Sequence, residues 1–60
     1  MDIKNLKKLR KRARLNQPQL AAKVGVSPST IFRWEKGENI PHPERLKKLN
    51  RIFSHLLGDN

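Results

Sequence analysis

The sequence predicts an all-α fold, a small bundle of four helices with a fifth left open. Three observations carry that expectation. Apolar residues recur three and four apart, as in Leu20/Val24 and Ile31/Trp34, and strand-like alternation is absent. Residues that start or stop helices stand between the periodic stretches: Asn16, Gly25, Ser27-Pro28, Gly37 and Pro43. Hydrophobic residues are 35% of the 60, and aromatics only 5%, which suits helix packed on helix. A chain this short buries only about 60% of the surface its unfolded form exposes, so one economical domain spanning residues 1–60 is expected.

A first helix is expected over residues 1–15. Asp2 can cap it, and Ile3, Leu6, Leu9, Arg10 and Ala13 form one stripe. Lys4, Lys7, Lys8, Lys11, Arg12 and Arg14 occupy the rest of the helix. Alone, such a basic amphipathic helix is compatible with a membrane surface or a calmodulin-type partner. Its apolar face is aliphatic without an interfacial aromatic, which favours the lid of a core. Arg10 is on the inward stripe, where a lone buried cation is expensive. It must pair, or run its stem along the core and keep its head in water.

The second helix is expected over residues 16–24. Asn16 as N-cap, with Gln19 three residues on, makes a capping box, and Pro18 falls in the first turn, where its missing N–H is harmless. Leu20 and Val24 share a face, and the small Ala21 beside them lets another helix cross closely. Gly25 suits a turn that needs positive φ, and Val26 can fold back under it.

The third helix spans residues 27–36, with Ser27 as N-cap and Pro28 at the first position. Ile31 and Trp34 bury one face, leaving Ser29, Thr30, Phe32 and Arg33 available to something outside. Residues 35–43 then form a loop, in which Gly37 ends the helix and Ile40 is expected to plug the core. The last helical segment covers residues 43–57. Pro43 and Glu44 open it, Leu46, Leu49, Phe53 and Leu56 form its stripe, and Ile52 and Leu57 lie alongside. One long helix is favoured over a break near Ser54. Gly58 ends it, and residues 59–60 form a tail.

The formal charge is +9, with 14 basic against 5 acidic residues. That imbalance attracts polyanions. No apolar run approaches the roughly 18–20 residues of a membrane span, and residues 1–16 contain no apolar core of a signal peptide. Cysteine is absent, so no disulfide or thiolate metal site holds the fold, and a cytoplasmic location is expected. His42 and His55 lack companions for a metal site. No cofactor is implied. A nucleophile, base and carboxylate cannot be assembled convincingly from so few groups, and no phosphate-cradling glycine loop occurs, so the chain is not read as an enzyme.

Gln17, Leu20, Ala21, Val24, Gly25, Val26, Ile31 and Trp34, closed by Glu35-Lys36-Gly37, resemble the helix-turn-helix of the lambda-repressor-like (Cro/C1-type) DNA-binding family. The resemblance covers nearly the whole chain. It implies that residues 28–36 form a recognition helix for the major groove. Carried over position by position, base contacts fall on Pro28, Ser29 and Arg33, with Thr30 and Phe32 adjacent. Phosphate contacts fall on Asn16, Gln17, Lys36, Asn39 and Arg45. Pro28 departs from the glutamine often found there. The family also implies a structural salt bridge between Arg10 and Glu35. Arginine in the major groove can bind guanine O6 and N7 bidentately, which singles out Arg33. Phe32 either touches a thymine methyl or sugar, or extends the edge of the core.

The reading is therefore sequence-specific binding of double-stranded DNA by a transcriptional regulator, with repression the expected direction. A homodimer on a two-fold site is the natural way to enlarge a small interface. The competing reading is a basic helical module that binds a protein partner or an anionic surface without reading DNA sequence.

Overall fold

The computed structural model describes residues 3–58. A 3-10 turn, Ile3–Asn5, leads into four α-helices: α1 Leu6–Arg12, α2 Gln17–Val24, α3 Pro28–Lys36 and α4 Pro43–Leu57. No strand occurs among the described residues, and the fold is all-α as the periodicity predicts. The last segment is a single fifteen-residue helix, so no fifth α-helix forms there. The expectations about Asp2 as a cap, the Ile3 side chain and the 59–60 tail lie outside the described residues.

The first helix is shorter than the 1–15 expected. It begins as a 3-10 turn and stops at Arg12. Arg14 then takes φ 61, the left-handed conformation, without being glycine. Its N–H donates to the Lys11 carbonyl at 3.0 Å, and the Leu15 N–H donates to the Arg10 carbonyl at 3.1 Å. These are the two reversed bonds of a Schellman ending. They turn the chain so that Leu15 packs on the core.

The two central helices start and stop at the predicted residues. Asn16 Oδ1 accepts from the Gln19 N–H and the Gln19 side chain accepts from the Asn16 N–H, each at 2.8 Å, which closes the capping box. Gly25 ends α2 at φ 90, and the N–H groups of Gly25 and Val26 both donate to the Ala21 carbonyl. Gly37 ends α3 in the same left-handed way.

Leu6, Leu20, Val24, Ile31 and Leu49 are fully buried, with Ala21, Trp34 and Phe53 closing the core around them. The most extensive packing is between α2 and α3, where Ala21 keeps the crossing close. Burying a leucine or isoleucine side chain stabilises by roughly 1.5–3 kcal/mol, so these few residues supply most of the driving force. Ile40 does not plug this core. It is 77% exposed, and its neighbour Pro41 is buried instead. The residue before a proline favours extended backbone, which sends successive side chains to opposite sides. Proline also brings no N–H that burial would leave unpaired. On α4 the inward stripe is Leu46, Leu49, Ile52, Phe53 and Leu57, and Leu56 is correspondingly turned out, at 39% exposure.

Candidate nucleic-acid interface

The orientation of α3 is set by its two buried residues. With Ile31 and Trp34 inside, a helical rotation of about 100° per residue brings Ser29, Phe32, Arg33 and Lys36 together on the opposite face. All four are exposed. The Arg33 side chain makes no hydrogen bond or ion pair among the described residues. Its guanidinium carries five donors in a fixed fork, so the outward face of α3 presents an uncommitted bidentate donor.

The start of this helix is tightly organised. Ser27 Oγ accepts from the Thr30 N–H at 3.3 Å, and the Thr30 hydroxyl lies 3.0 Å from the same oxygen. Ser29 Oγ lies 3.3 Å from it as well. Pro28 is exposed at the first helical position. Thr30 departs from the outward set: it is half-buried and lines a groove of about 420 Å³ with Trp34, Asn39, Ile40 and Arg45. Of the five residues expected at bases, Ser29, Phe32 and Arg33 therefore share the outward face, Pro28 stands at its edge, and Thr30 looks sideways into the groove.

Phe32 is 46% exposed and takes no part in the core. The Lys36 ammonium stands 5.1 Å from its ring centroid and 3.8 Å from a Glu38 carboxylate oxygen.

The residues expected at phosphates are distributed around α3. Asn16 and Gln17 open α2, Lys36 and Asn39 flank the end of α3, and all except Gln17 are exposed. Gln17 is half-buried, and its amide donates to Glu35 Oε1 at 3.1 Å. Arg45 has a structural partner as well, because its Nη1 donates to the Val24 carbonyl at 3.0 Å. That bond satisfies one of the carbonyls left open where α2 ends, and it pins α4 to the turn. Sequence reasoning missed both bonds. Each depends on how distant helices cross, and no local pattern encodes that.

Arg10 and Glu35 meet beneath the interface. Arg10 Nε donates to Glu35 Oε2 at 2.6 Å, Nη2 to Oε1 at 3.2 Å, and Nη1 to the Leu15 carbonyl at 3.0 Å. The two side chains retain only 9% and 5% of their exposure. With Gln17 included, one carboxylate collects donors from α1 and α2 while sitting on α3. Charge-assisted, two-pronged bonds of this kind offset the desolvation that an isolated buried charge would suffer.

The remaining charge is strongly one-sided. Lys7, Lys8, Lys11, Arg12 and Arg14 are exposed on α1 and at its exit. Only three acidic residues stand among the described residues, and two of them, Glu35 and Glu38, already face cations. Among the described residues there is no cluster of His, Cys, Asp or Glu able to hold a metal ion. No helix there is long and apolar enough to cross a membrane.

Four short helices, the central pair joined by a left-handed glycine turn with a free polar face on the second, define a helix-turn-helix protein. The comparisons with known proteins agree. A family model described as helix-turn-helix matches residues 6–54, and the chain belongs to that family, of the Cro/C1 type. It is also similar to the HTH-type transcriptional activator BcrR of Enterococcus faecalis, with 41% identity over 49 residues. That match covers 82% of this chain and 24% of the relative, so the chain spans about a quarter of the relative's length. No solved structure matches the chain.

Proposed function

We propose that the chain binds duplex DNA sequence-specifically, with α3 in the major groove, and that it regulates transcription by occupying its site. The observation that carries this reading is the outward face of α3. It holds an exposed arginine with no hydrogen-bond or ion-pair partner among the described residues, on a helix whose opposite face is fixed in the core. Arg33 supplies a bidentate contact to a guanine, and Ser29 donates to a neighbouring base or phosphate. Asn16, Lys36 and Asn39 hold the phosphates on either side of the groove. The α1 cations add sequence-independent attraction, which makes binding steeply salt-dependent.

A homodimer on a two-fold site supplies the area that one small domain lacks. Exposed Leu56 beside half-buried Leu57 gives the C-terminal end of α4 an apolar contact for it. Repression needs nothing beyond occupancy of a promoter. The Enterococcus relative is named an activator, so a reporter placed downstream of the selected site decides the direction.

The test is selection of bound duplexes from a random pool at moderate and raised salt, with Arg33→Ala in parallel. A motif that survives raised salt and loses one G·C preference in the variant is the expected result. That loss should weaken binding to the selected site by about 1–3 kcal/mol. Enrichment of nothing, with weak binding that vanishes at raised salt for both proteins, refutes the reading and leaves a basic interaction module.

A further inference from the structure

The face that carries Arg33 contains one residue that hydrogen bonding does not explain. Among Ser29, Phe32, Arg33 and Lys36, only Phe32 is apolar, and it follows from the reading above that it faces the groove. A phenylalanine of the core edge would pack against Ile31 or Trp34 and their neighbours. Phe32 stands outside the buried cluster, nearly half its surface is open, and a cation sits over its ring. The Lys36 ammonium, one turn further along, stands 5.1 Å from the ring centroid. Cation and ring attract each other electrostatically at that distance, and nearly half of the residue stays open to a further contact. The same ammonium lies 3.8 Å from an exposed Glu38 carboxylate oxygen.

We infer that Phe32 is a specificity-determining residue: its ring forms the apolar wall of a subsite for the C5 methyl group of a thymine next to the base pair read by Arg33. The major groove displays one apolar group per A·T pair, that methyl, and an aromatic side chain is among those able to contact it. Phe32 and Arg33 are consecutive, so their side chains leave α3 about 100° apart and reach different base steps. Lys36 has two duties in this arrangement. It holds the ring in position, and in the complex its ammonium exchanges the exposed Glu38 carboxylate for a backbone phosphate. The subsite accepts the methyl whichever pyrimidine bears it, so 5-methylcytosine satisfies it as well.

This inference rests on the proposed DNA reading, and the experiment separates the two. Duplexes carrying the selected motif are prepared with each thymine replaced singly by deoxyuridine, which removes only the methyl. Binding of wild type and Phe32→Ala is measured by titration, with thermal unfolding confirming that the exposed substitution leaves the fold intact. One position should show about fourfold weaker wild-type binding, the value of burying a single methyl group. Phe32→Ala should bind thymine and deoxyuridine equally at that position. Placing cytosine and then 5-methylcytosine there should restore part of the wild-type affinity and none of the variant's.

Equal wild-type binding to thymine and deoxyuridine at every position overturns the inference while leaving the DNA reading intact. So does an undiminished methyl effect in Phe32→Ala, which assigns the methyl to another residue. A uniform loss in Phe32→Ala without methyl discrimination places the ring on a sugar and also overturns it. If wild type selects no motif at all, the DNA reading fails and the inference with it.

Discussion

Replacing Arg10 by methionine should come close to unfolding the domain. Methionine keeps the aliphatic stem, so the change isolates the guanidinium and its three bonds, two to Glu35 and one to the Leu15 carbonyl. The Glu35 side chain is 5% exposed and would keep only the Gln17 amide as a donor. Removing one partner of a buried pair costs roughly 3–5 kcal/mol, because the survivor is left charged and unpaired. A sixty-residue domain holds about 3–9 kcal/mol in all, at about 0.05–0.15 kcal/mol per residue, so between about a third and all of the stability goes. Removing both charges as Arg10→Met/Glu35→Leu should cost far less. Only the Leu15 carbonyl and the Gln17 amide then lose a partner, at about 1 kcal/mol each. Urea and thermal unfolding, followed by circular dichroism, measure all three proteins. A fall in Tm under about 5 °C for Arg10→Met, roughly 1 kcal/mol in a domain of this size, would refute the argument. Arg10 would then be a solvated cation that happens to lie near Glu35.

Two further changes test the turns by thermal unfolding. Gly25→Ala should destabilise by about 1–2 kcal/mol, the penalty of a side chain at positive φ. A Cβ there would meet Arg45 Nη1 at 3.5 Å, an ordinary contact, so the cost lies in the backbone and an unchanged Tm would remove the turn argument. Arg14→Gly should do the opposite. Arg14 is exposed at φ 61, and relief of that conformation, less the entropy glycine adds to the unfolded chain, should leave a gain of about 0.5 kcal/mol. A loss of stability there would mean that the arginine side chain holds the α1 ending together.

These two turns also show where the sequence was legible and where it was not. The endings at Gly25 and Gly37 could be read because glycine is the usual residue at positive φ, and the starts at Asn16 and Ser27 because their side chains cap locally. The ending at Arg14 could not. Its left-handed residue is an arginine, and the stripe runs on to Ala13 with no glycine or proline to stop it, so periodicity carried the helix too far. Ile40 and Pro41 were exchanged for a different reason: hydrophobicity ranks isoleucine as the plug, while the chain buries the proline, which brings no N–H to be left unpaired. The outward positions of Ser29, Phe32 and Arg33 followed from burying Ile31 and Trp34. The inclusion of Gln17 in the Arg10–Glu35 cluster, and of Arg45 at the end of α2, depends on tertiary crossing that the sequence does not display.

The buried cluster connects the fold to its proposed use. A recognition helix can read bases only if it is held within a fraction of an ångström of its place beside the elements that grip the phosphates. Hydrophobic burial of Ile31 and Trp34 fixes which face of α3 points out, but apolar contact alone is indifferent to a small slide along the helix axis. Glu35 removes that freedom. Its two oxygens take directional bonds from Arg10 on α1 and from Gln17 in the first turn of α2, so the end of α3 is registered against the start of α2. The start of α2 is where the phosphate contact of Asn16 is proposed. A leucine at position 35 would therefore leave a foldable domain, given a matching change at Arg10, yet loosen the distance between groove reading and phosphate grip. In that double variant, discrimination between the selected motif and random DNA should fall by more than stability does.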